Sequence, residues 1–382
     1  MIYLDWAASA IPYTAEIEAA YREATAVFAN PSAQHSFGKR AKELLEDARS
    51  RCAAVLGVPA ATLYFTSGAS ESNSIVLLSL LTRPSAGSVV IGGIEHPSVR
   101  EQAAVLQHCG WTVLTAPADK NGYISPEAVV QACREDTVMA AIMSVNNEIG
   151  SIQPIHEIAA ALRAHCAGKR PIHFHTDAVQ SIGKLPVNRL FLHEADSASM
   201  SAHKIGGPRG IGLLYLKQPF ASGIRGGSQE QNIRPGTENL VGACALARCL
   251  EKTYTDFDQK YAQAEKLSRF LIEELEKTGS FSLVPDGRST AKGDAAFSPW
   301  IIHGSFKNLP AEVMMRCLSE HDIFVSAGSA CSSKKKIRPV LAALSVPLEI
   351  AQNTLRLSIG PSTEQKDIEA FIAAVKQILE EF

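Results

Sequence analysis

The chain has 382 residues, 46% of them hydrophobic and 20% charged, with a net charge of -2. That length predicts two structural domains, and the near-neutral balance supplies no broad pull toward nucleic acid or an anionic membrane. The longest apolar run, Ile75–Leu81 interrupted only by Ser79, is too short to span a bilayer, and the opening MIYLDWAAS has no basic stretch leading into an apolar one, so a cytoplasmic protein is expected.

In chain order, Leu63–Thr66 reads as a strand that passes through Ser-Gly into a helix from about Ser70. Ser88–Ile91 is a second strand and Pro97–His108 a helix; Val138–Val145 is a third strand, with Ile155–His165 helical after it. Ile172–Thr176, Ser197–Ser201 and Gly210–Leu216 read as further strands. Strands separated by helices predict parallel crossovers and a sheet covered on both faces. From Asn239 to about Lys277 the composition turns to Ala, Glu and Lys, and a long, mostly helical stretch is expected. Shorter strands follow at Trp300–His303, Ile323–Val325 and Thr354–Ile359, then a terminal helix from Thr363. The pattern predicts an α/β protein. Residues 15–255 form a large domain with a mainly parallel sheet, and residues 1–14 and 256–382 a smaller α+β domain.

Eight cysteines stand at 52, 109, 133, 166, 244, 249, 317 and 331, none in a C-x-x-C pair, which removes zinc ribbons and thioredoxin-like motifs. Most are expected to be small buried hydrophobes, Cys317 among them on a helix facing the core. His173 and His175 share one side of a strand, but two ligands without a third do not make a metal site, and no metal is expected. His35 follows an Asn-Pro-Ser turn, where loop geometry accounts for it as well as chemistry does.

The chemistry concentrates at strand ends. No G-x-G-x-x-G follows the first strand and no G-x-x-x-x-G-K-[ST] loop occurs, so dinucleotide and P-loop binding lose their main signal. Instead, small residues Thr66–Ser70 in YFTSGASESNS leave a strand and open a helix, aiming free backbone N–H groups and the positive helix end at one point, as a phosphate requires. HTDAVQ places Asp177 just past one strand, MSAHK places Ser201, His203 and Lys204 past another, and EHPSV places His96 past a third. A lysine, an aspartate, a histidine and a phosphate-binding helix start suit pyridoxal 5'-phosphate: the lysine links to the cofactor's aldehyde, and the carboxylate keeps the pyridine nitrogen protonated. The glycines around Lys204, in SAHKIGGPRGIG, allow that cofactor close to the backbone.

At this point ten stretches carry a resemblance: YLDWAAS, NPSAQHSFG, FTSGASES, EHPSV, VNNEIG, DAVQSIGKLP, SAHKIGGPRGIG, RPGTEN, AGSACSS and NTLRLSIG. In this order, from residue 3 to about residue 360, they resemble the cysteine desulfurases of the NifS/IscS-like group, within the class V family of fold-type I pyridoxal-phosphate enzymes. The resemblance implies catalytic roles for Lys204, as Schiff-base lysine and acid/base at the substrate's α-carbon, for Cys331, as the thiolate that takes the sulfur, and for His96, which stacks on the ring and manages a proton at the substrate thiol. It implies that Asp177 holds the pyridine nitrogen, that Gln180 donates to the phenolic oxygen, and that Ala69, Ser70, Ser201 and His203 hold the phosphate. Thr237 is implied to reach a neighbouring subunit's phosphate, making a homodimer, with Arg234 beside it at the dimer contact. Asn147 and Arg356 are implied to hold the substrate, Arg356 as a two-pronged grip on the α-carboxylate.

The activity so implied converts L-cysteine to L-alanine and leaves a persulfide on Cys331, for delivery to a sulfur-acceptor or iron–sulfur scaffold protein. Two departures stand out. Trp6 occupies a position where asparagine is common, and is expected to reshape the substrate mouth; Gln231 replaces an arginine. The Lys334–Lys336 run reads as a solvated loop. A selenocysteine lyase or another C–S lyase is the alternative, but neither needs an acceptor thiol in a GSAC loop. A non-catalytic sulfur-relay scaffold would not need Lys204, Asp177, His203 and His96 together.

Overall fold

The computed structural model describes residues 1–288, 295–328 and 338–381, so Cys331 and Lys334–Lys336 lie outside it. The chain opens with strand β1 (Ile2–Tyr3) and helices α1 (Thr14–Thr25) and α2 (Ser36–Leu56). Alternation follows: β2 (Leu63–Thr66), α3 (Ala69–Leu78), β3 (Ser88–Gly92), α4 (Pro97–His108), β4 (Thr112–Ala116), α5 (Pro126–Ala132), β5 (Thr137–Ala141), α6 (Ile155–His165), β6 (His173–Asp177), β7 (Ser197–Ser201) and β8 (Gly212–Leu216). Then come α7 (Leu240–Tyr254), α8 (Phe257–Glu276), β9 (Phe281–Leu283), β10 (Ile301–Phe306), α9 (Ala311–Glu320), β11 (Ile323–Phe324), α10 (Pro339–Ala343), α11 (Leu348–Gln352), β12 (Thr354–Ser358) and α12 (Gln365–Glu381).

Seven strands form the main sheet in the order β2-β8-β7-β6-β5-β3-β4. Only β8 runs against its neighbours, pairing antiparallel with both β2 and β7. The other pairings are parallel, as helical crossovers demand. A three-stranded antiparallel sheet, β12-β10-β9, lies in the C-terminal part, and β1 pairs parallel with β11. Bridges from Asp5 to Ser358 and from Ser326 to Arg356 tie that pair to β12.

Local chemistry explains the boundaries. The four residues of β2 are all buried although it is an end strand of the sheet, because Leu63 and Phe65 pack into one buried cluster and Tyr64 into another. His35 accepts from the Gly38 N–H at 3.1 Å and starts α2, and Gly57, at φ 67°, ends it in the left-handed conformation. Pro97 and Pro126 stand in the first turns of α4 and α5, where a missing N–H costs nothing. The stretch expected to be helical from Asn239 to Lys277 is two helices, because Asp256 turns to φ 53° between them. The strand expected over 138–145 ends at Ala141, although Ile142 and Ser144 N–H still reach the carbonyls of His175 and Asp177.

One buried cluster unites α2 and α7 with residues of β2, β7 and β8. A second joins Leu4 and Ala7 to residues of α8, β9, β10, α9, β12 and α12. Of the seven described cysteines only Cys52, Cys244 and Cys249 are fully buried; Cys133, Cys166 and Cys317 are half-buried and Cys109 is exposed. Burial pushes the Cys244 thiol up to about 11 and that of Cys249 to about 12. Cys317 packs on the rim of the second cluster rather than inside it. No helix among the described residues is long and apolar enough to cross a membrane.

Candidate active site

The C-terminal ends of β2, β3, β6 and β7 open on one cleft of about 550 Å³, which the N-terminal segment Ala7–Ser9 and Arg356 of β12 also line. Open α/β sheets place ligands there. Ten of the expected residues line it: Ala69, Ser70, His96, Asn147, Asp177, Gln180, Ser201, His203, Lys204 and Arg356. Thr237 is exposed and outside the lining, Arg234 reaches Glu71 at 3.3 Å, and Cys331 lies outside the described residues. Trp6, expected at the mouth, is instead buried, with Gly360 against its indole, so its size is spent on packing. Gln231 is exposed, at φ 53°.

The start of α3 is built as an anion cradle. Gly68 takes φ 148°, which favours glycine, and the Ser72 N–H returns to its carbonyl at 3.1 Å. The N–H groups of Ala69, Ser70 and Glu71 precede the first intrahelical bond and face the cleft end of the helix. Across from it, Ser201 Oγ is 2.8 Å from His203 Nδ1. Burial, then Lys204, Arg209 and Lys184, hold His203 down at about 4, so it is neutral at physiological pH. Arg209 supplies a cation at the rim.

Asp177 closes β6 and is 4% exposed. Oδ2 accepts from Asn73 Nδ2 at 2.9 Å and Oδ1 from the Val179 N–H at 3.1 Å. Asn73 is the node of a buried network. Its other Nδ2 proton goes to Ser98 Oγ at 2.8 Å, and its Oδ1 meets His175 Nε2 at 2.9 Å. His175 Nδ1 and His173 Nε2 both sit 2.8 Å from Ser197 Oγ. Burial depresses both imidazoles, His175 to about 3. These two histidines thus brace the carboxylate through Asn73. Neither Asn73 nor Ser98 was singled out in the sequence, because ordinary helix positions carry no motif.

The same network fixes the tautomer of His96. The Ser98 N–H can only donate, and it points to His96 Nδ1 at 3.1 Å; Ser98 Oγ lies 2.9 Å from the same atom. Nδ1 is therefore an acceptor and the imidazole proton resides on Nε2. Burial lowers this group's pKa, against the pull of Asp177. Beside it, Glu95 Oε1 accepts from the Met143 N–H at 2.6 Å while Oε2 is buried without a partner; burial pushes its carboxyl well up.

Lys204 Nζ donates to the carbonyls of Ala7 and Ala8, each at 2.8 Å. Gln180 Nε2 donates to the same Ala7 carbonyl at 2.9 Å. Arg356 is 1% exposed; Nη1 meets the Asn147 carbonyl at 2.9 Å and Nη2 meets Asp5 Oδ1 at 2.7 Å. Nη1 and Nη2 each spend one of their two protons on these contacts, so the Nε–H and a second Nη2 proton remain for the expected two-pronged grip. Arg356 Nε and Asn147 Oδ1 are buried without partners. One is a donor and one an acceptor, and leaving each orphaned costs about 1–3 kcal/mol.

These residues fit pyridoxal phosphate. They supply an amine, a buried carboxylate that accepts from two donors, a flat-faced histidine and an N–H cradle with glycine at its lip. The comparisons agree. Residues 2–371 match the Aminotransferase class-V family. A NifS/IcsS protein homolog of Lactobacillus delbrueckii subsp. bulgaricus is 36% identical over all of this chain and 98% of its own length. The cysteine desulfurase IscS of Dictyoglomus turgidum is 33% identical over 99% of this chain and 94% of its own. Among solved structures, a NifS-like protein superposes with a TM-score of 0.89 at 29% identity, each chain fully covered. SspA in complex with cysteine gives 0.79 at 29%, covering 95% of this chain and all of its own. The chain belongs to the aminotransferase class-V family, in the group of the NifS/IscS-like cysteine desulfurases.

Proposed function

We infer that this protein is a cysteine desulfurase that uses pyridoxal phosphate to convert L-cysteine to L-alanine, leaving the sulfur as a persulfide on Cys331. The observation that carries the reading is Lys204 Nζ in one cleft with Asp177, His96 and the two orphaned atoms, Arg356 Nε and Asn147 Oδ1. An amino acid offers a carboxylate to the first and a donor to the second.

When bound through Lys204, the cofactor supplies an electron sink for the substrate's α-carbon. The chain's own residues do the rest. Asp177, braced by Asn73, holds a positive charge at the pyridine nitrogen; the α3 cradle, Ser201 and His203 hold the phosphate; Arg356 and Asn147 orient the substrate. Lys204 Nζ moves the proton at the α-carbon. His96, with its proton on Nε2, handles the proton of the substrate thiol. At Cys331 the substrate's Cβ–S bond breaks as an S–S bond forms, and the three-carbon fragment takes up a proton to become alanine. One cysteine and one thiol thus yield one alanine and one persulfide.

The same reading makes the protein a cytoplasmic homodimer in which Thr237 serves the neighbouring subunit's phosphate, and passes the sulfur to an acceptor such as an iron–sulfur scaffold. The division into residues 15–255 and residues 1–14 with 256–382 is proposed with it; the cluster joining Leu4 and Ala7 to α8, α9 and α12 supports it. The test is incubation of the holoenzyme with L-cysteine, quantifying alanine and sulfide and locating the persulfide by peptide mass. Alanine formation with the added sulfur on Cys331 is expected. Alanine formed with the added sulfur on another cysteine would move the acceptor away from Cys331, pyruvate and sulfide in place of alanine would leave a simple lyase, and no turnover of L-cysteine would end the reading.

A further inference from the structure

We propose that Lys184 is a positioning residue of this site: its buried amine clamps the Gln180 carboxamide so that Nε2, and not Oε1, is presented beside Ala7 and the cleft.

Lys184 is 6% exposed and follows Gly183, which turns at φ 71°. A Cβ on Gly183 would come within 2.7 Å of Thr253 and 2.8 Å of Ile205, so the turn that brings the lysine inward is fixed. Its carbonyl accepts from Trp300 Nε1 at 3.0 Å, anchoring it from the second sheet. The amine donates to Gln180 Oε1 and, among the described residues, has no carboxylate partner; the charged neighbours that act on it are Lys204 and Arg356. Burial first, and then these two cations, push its pKa well below the ordinary value. A buried ammonium without a counter-ion is costly, so burial disfavours the charged form of this donor.

The carboxamide has one workable orientation. The Ala7 carbonyl only accepts, and it already takes Lys204 Nζ at 2.8 Å and Gln180 Nε2 at 2.9 Å. Turning Gln180 over would set oxygen against oxygen. Lys184 occupies the other end, so the two lysines terminate one chain of hydrogen bonds, from Lys184 through Gln180 to Ala7 and Lys204. Gln180 Nε2 keeps its second proton for a ligand.

The consequence rests on the function proposed above, in which Gln180 donates to the cofactor's phenolic oxygen. A donor there favours the ionised oxygen and lowers the proton affinity of the nitrogen linking Lys204 to the cofactor. Loosening Gln180 must raise it.

Lys184→Met removes the donor at nearly constant length. On protein loaded with pyridoxal phosphate, the pH titration of the visible band should shift upward by about half a unit or more. Lys184→Gln, which restores a donor, should return it toward the parent. The double variant with Gln180→Met should shift no further than Gln180→Met alone, because both changes remove one hydrogen bond. An unchanged titration for Lys184→Met, or shifts that add, overturns the proposal. A crystal structure of cofactor-free Lys184→Met decides independently: Gln180 turned from Ala7 supports the clamp, and Gln180 unmoved refutes it. Should the parent bind no cofactor, the desulfurase reading falls while this comparison still judges Lys184.

Discussion

Asn73 Nδ2 donates to Asp177 Oδ2 at 2.9 Å and to Ser98 Oγ at 2.8 Å, so one carboxamide on α3 serves both the carboxylate on β6 and, through Ser98, the histidine opening α4. Asn73→Ala would leave His175 Nε2 without its acceptor and Asp177 with the Val179 N–H alone. We expect a loss of about 1–3 kcal/mol in denaturant unfolding. Cofactor release should also quicken, followed by decay of the visible band. A variant that unfolds and holds cofactor like the parent would show that the brace carries nothing.

Gly212 sets the width of the N–H cradle at the start of α3, which we propose holds the phosphate. A Cβ there would come within 2.5 Å of the Met200 carbonyl and 2.7 Å of Gly68 Cα. Both are backbone, so Gly212→Ala must spread β7 or displace the lip of α3. We predict weaker cofactor binding, by roughly tenfold or more if about 1.4 kcal/mol of strain falls on the cradle. Equilibrium titration of the apoprotein with pyridoxal phosphate measures it, and an unchanged Kd would place the strain elsewhere.

Most strands of the main sheet and the ends that carry chemistry were legible because they are short, buried and followed by small residues: Leu63–Thr66 and Ser197–Ser201 came out to the residue. Helices α1, α2 and α5 and strand β4 were not, since α1 and α2 are largely polar surface helices and β4 is a half-exposed edge strand. Within the site, Lys204, Asp177 and His96 announce themselves by residue type at strand ends. Asn73, Ser98 and Lys184 do not, because their importance is a matter of who faces whom across the sheet. The commitment of Arg356 to Asp5 is of the same kind: 351 positions separate the two residues, and the pairing of the N-terminal segment with β12 brings them together.

Acid should destabilise the fold. His175 and His303, both essentially unexposed, are held at about 3 by burial, against an ordinary 6.5. The native state keeps them neutral while the unfolded chain protonates near 6.5, so their stabilisation is present above that pH and is lost as pH falls below it. Between pH 6.5 and 5 each loses about 2 kcal/mol. Glu95, raised by burial, works the other way and offsets part of this loss. His96, His173 and His203, all depressed by burial, add their loss in the same direction, so the balance falls with acid. Unfolding free energies measured across this range should fall with acid, and His303→Gln should make the slope shallower. A flat profile for the parent would refute the assignment.

Arg356 is asked to do two jobs, and its variants should separate them. Nη2 ties Asp5 to β12 and Nη1 holds the Asn147 carbonyl, while Nε waits for a ligand. Arg356→Ala deletes all three and leaves Asp5 without its cation, so lost stability, about 3–5 kcal/mol for breaking a buried pair, would confuse the kinetics. Arg356→Lys keeps the charge near Asp5 but has no planar fork. With the fold retained by melting temperature, its KM for L-cysteine should rise about tenfold or more while kcat changes less, the signature of binding lost equally in ground and transition states. If KM stays at the parent value, the substrate carboxylate is held elsewhere, and Arg209 at the rim becomes the residue to test.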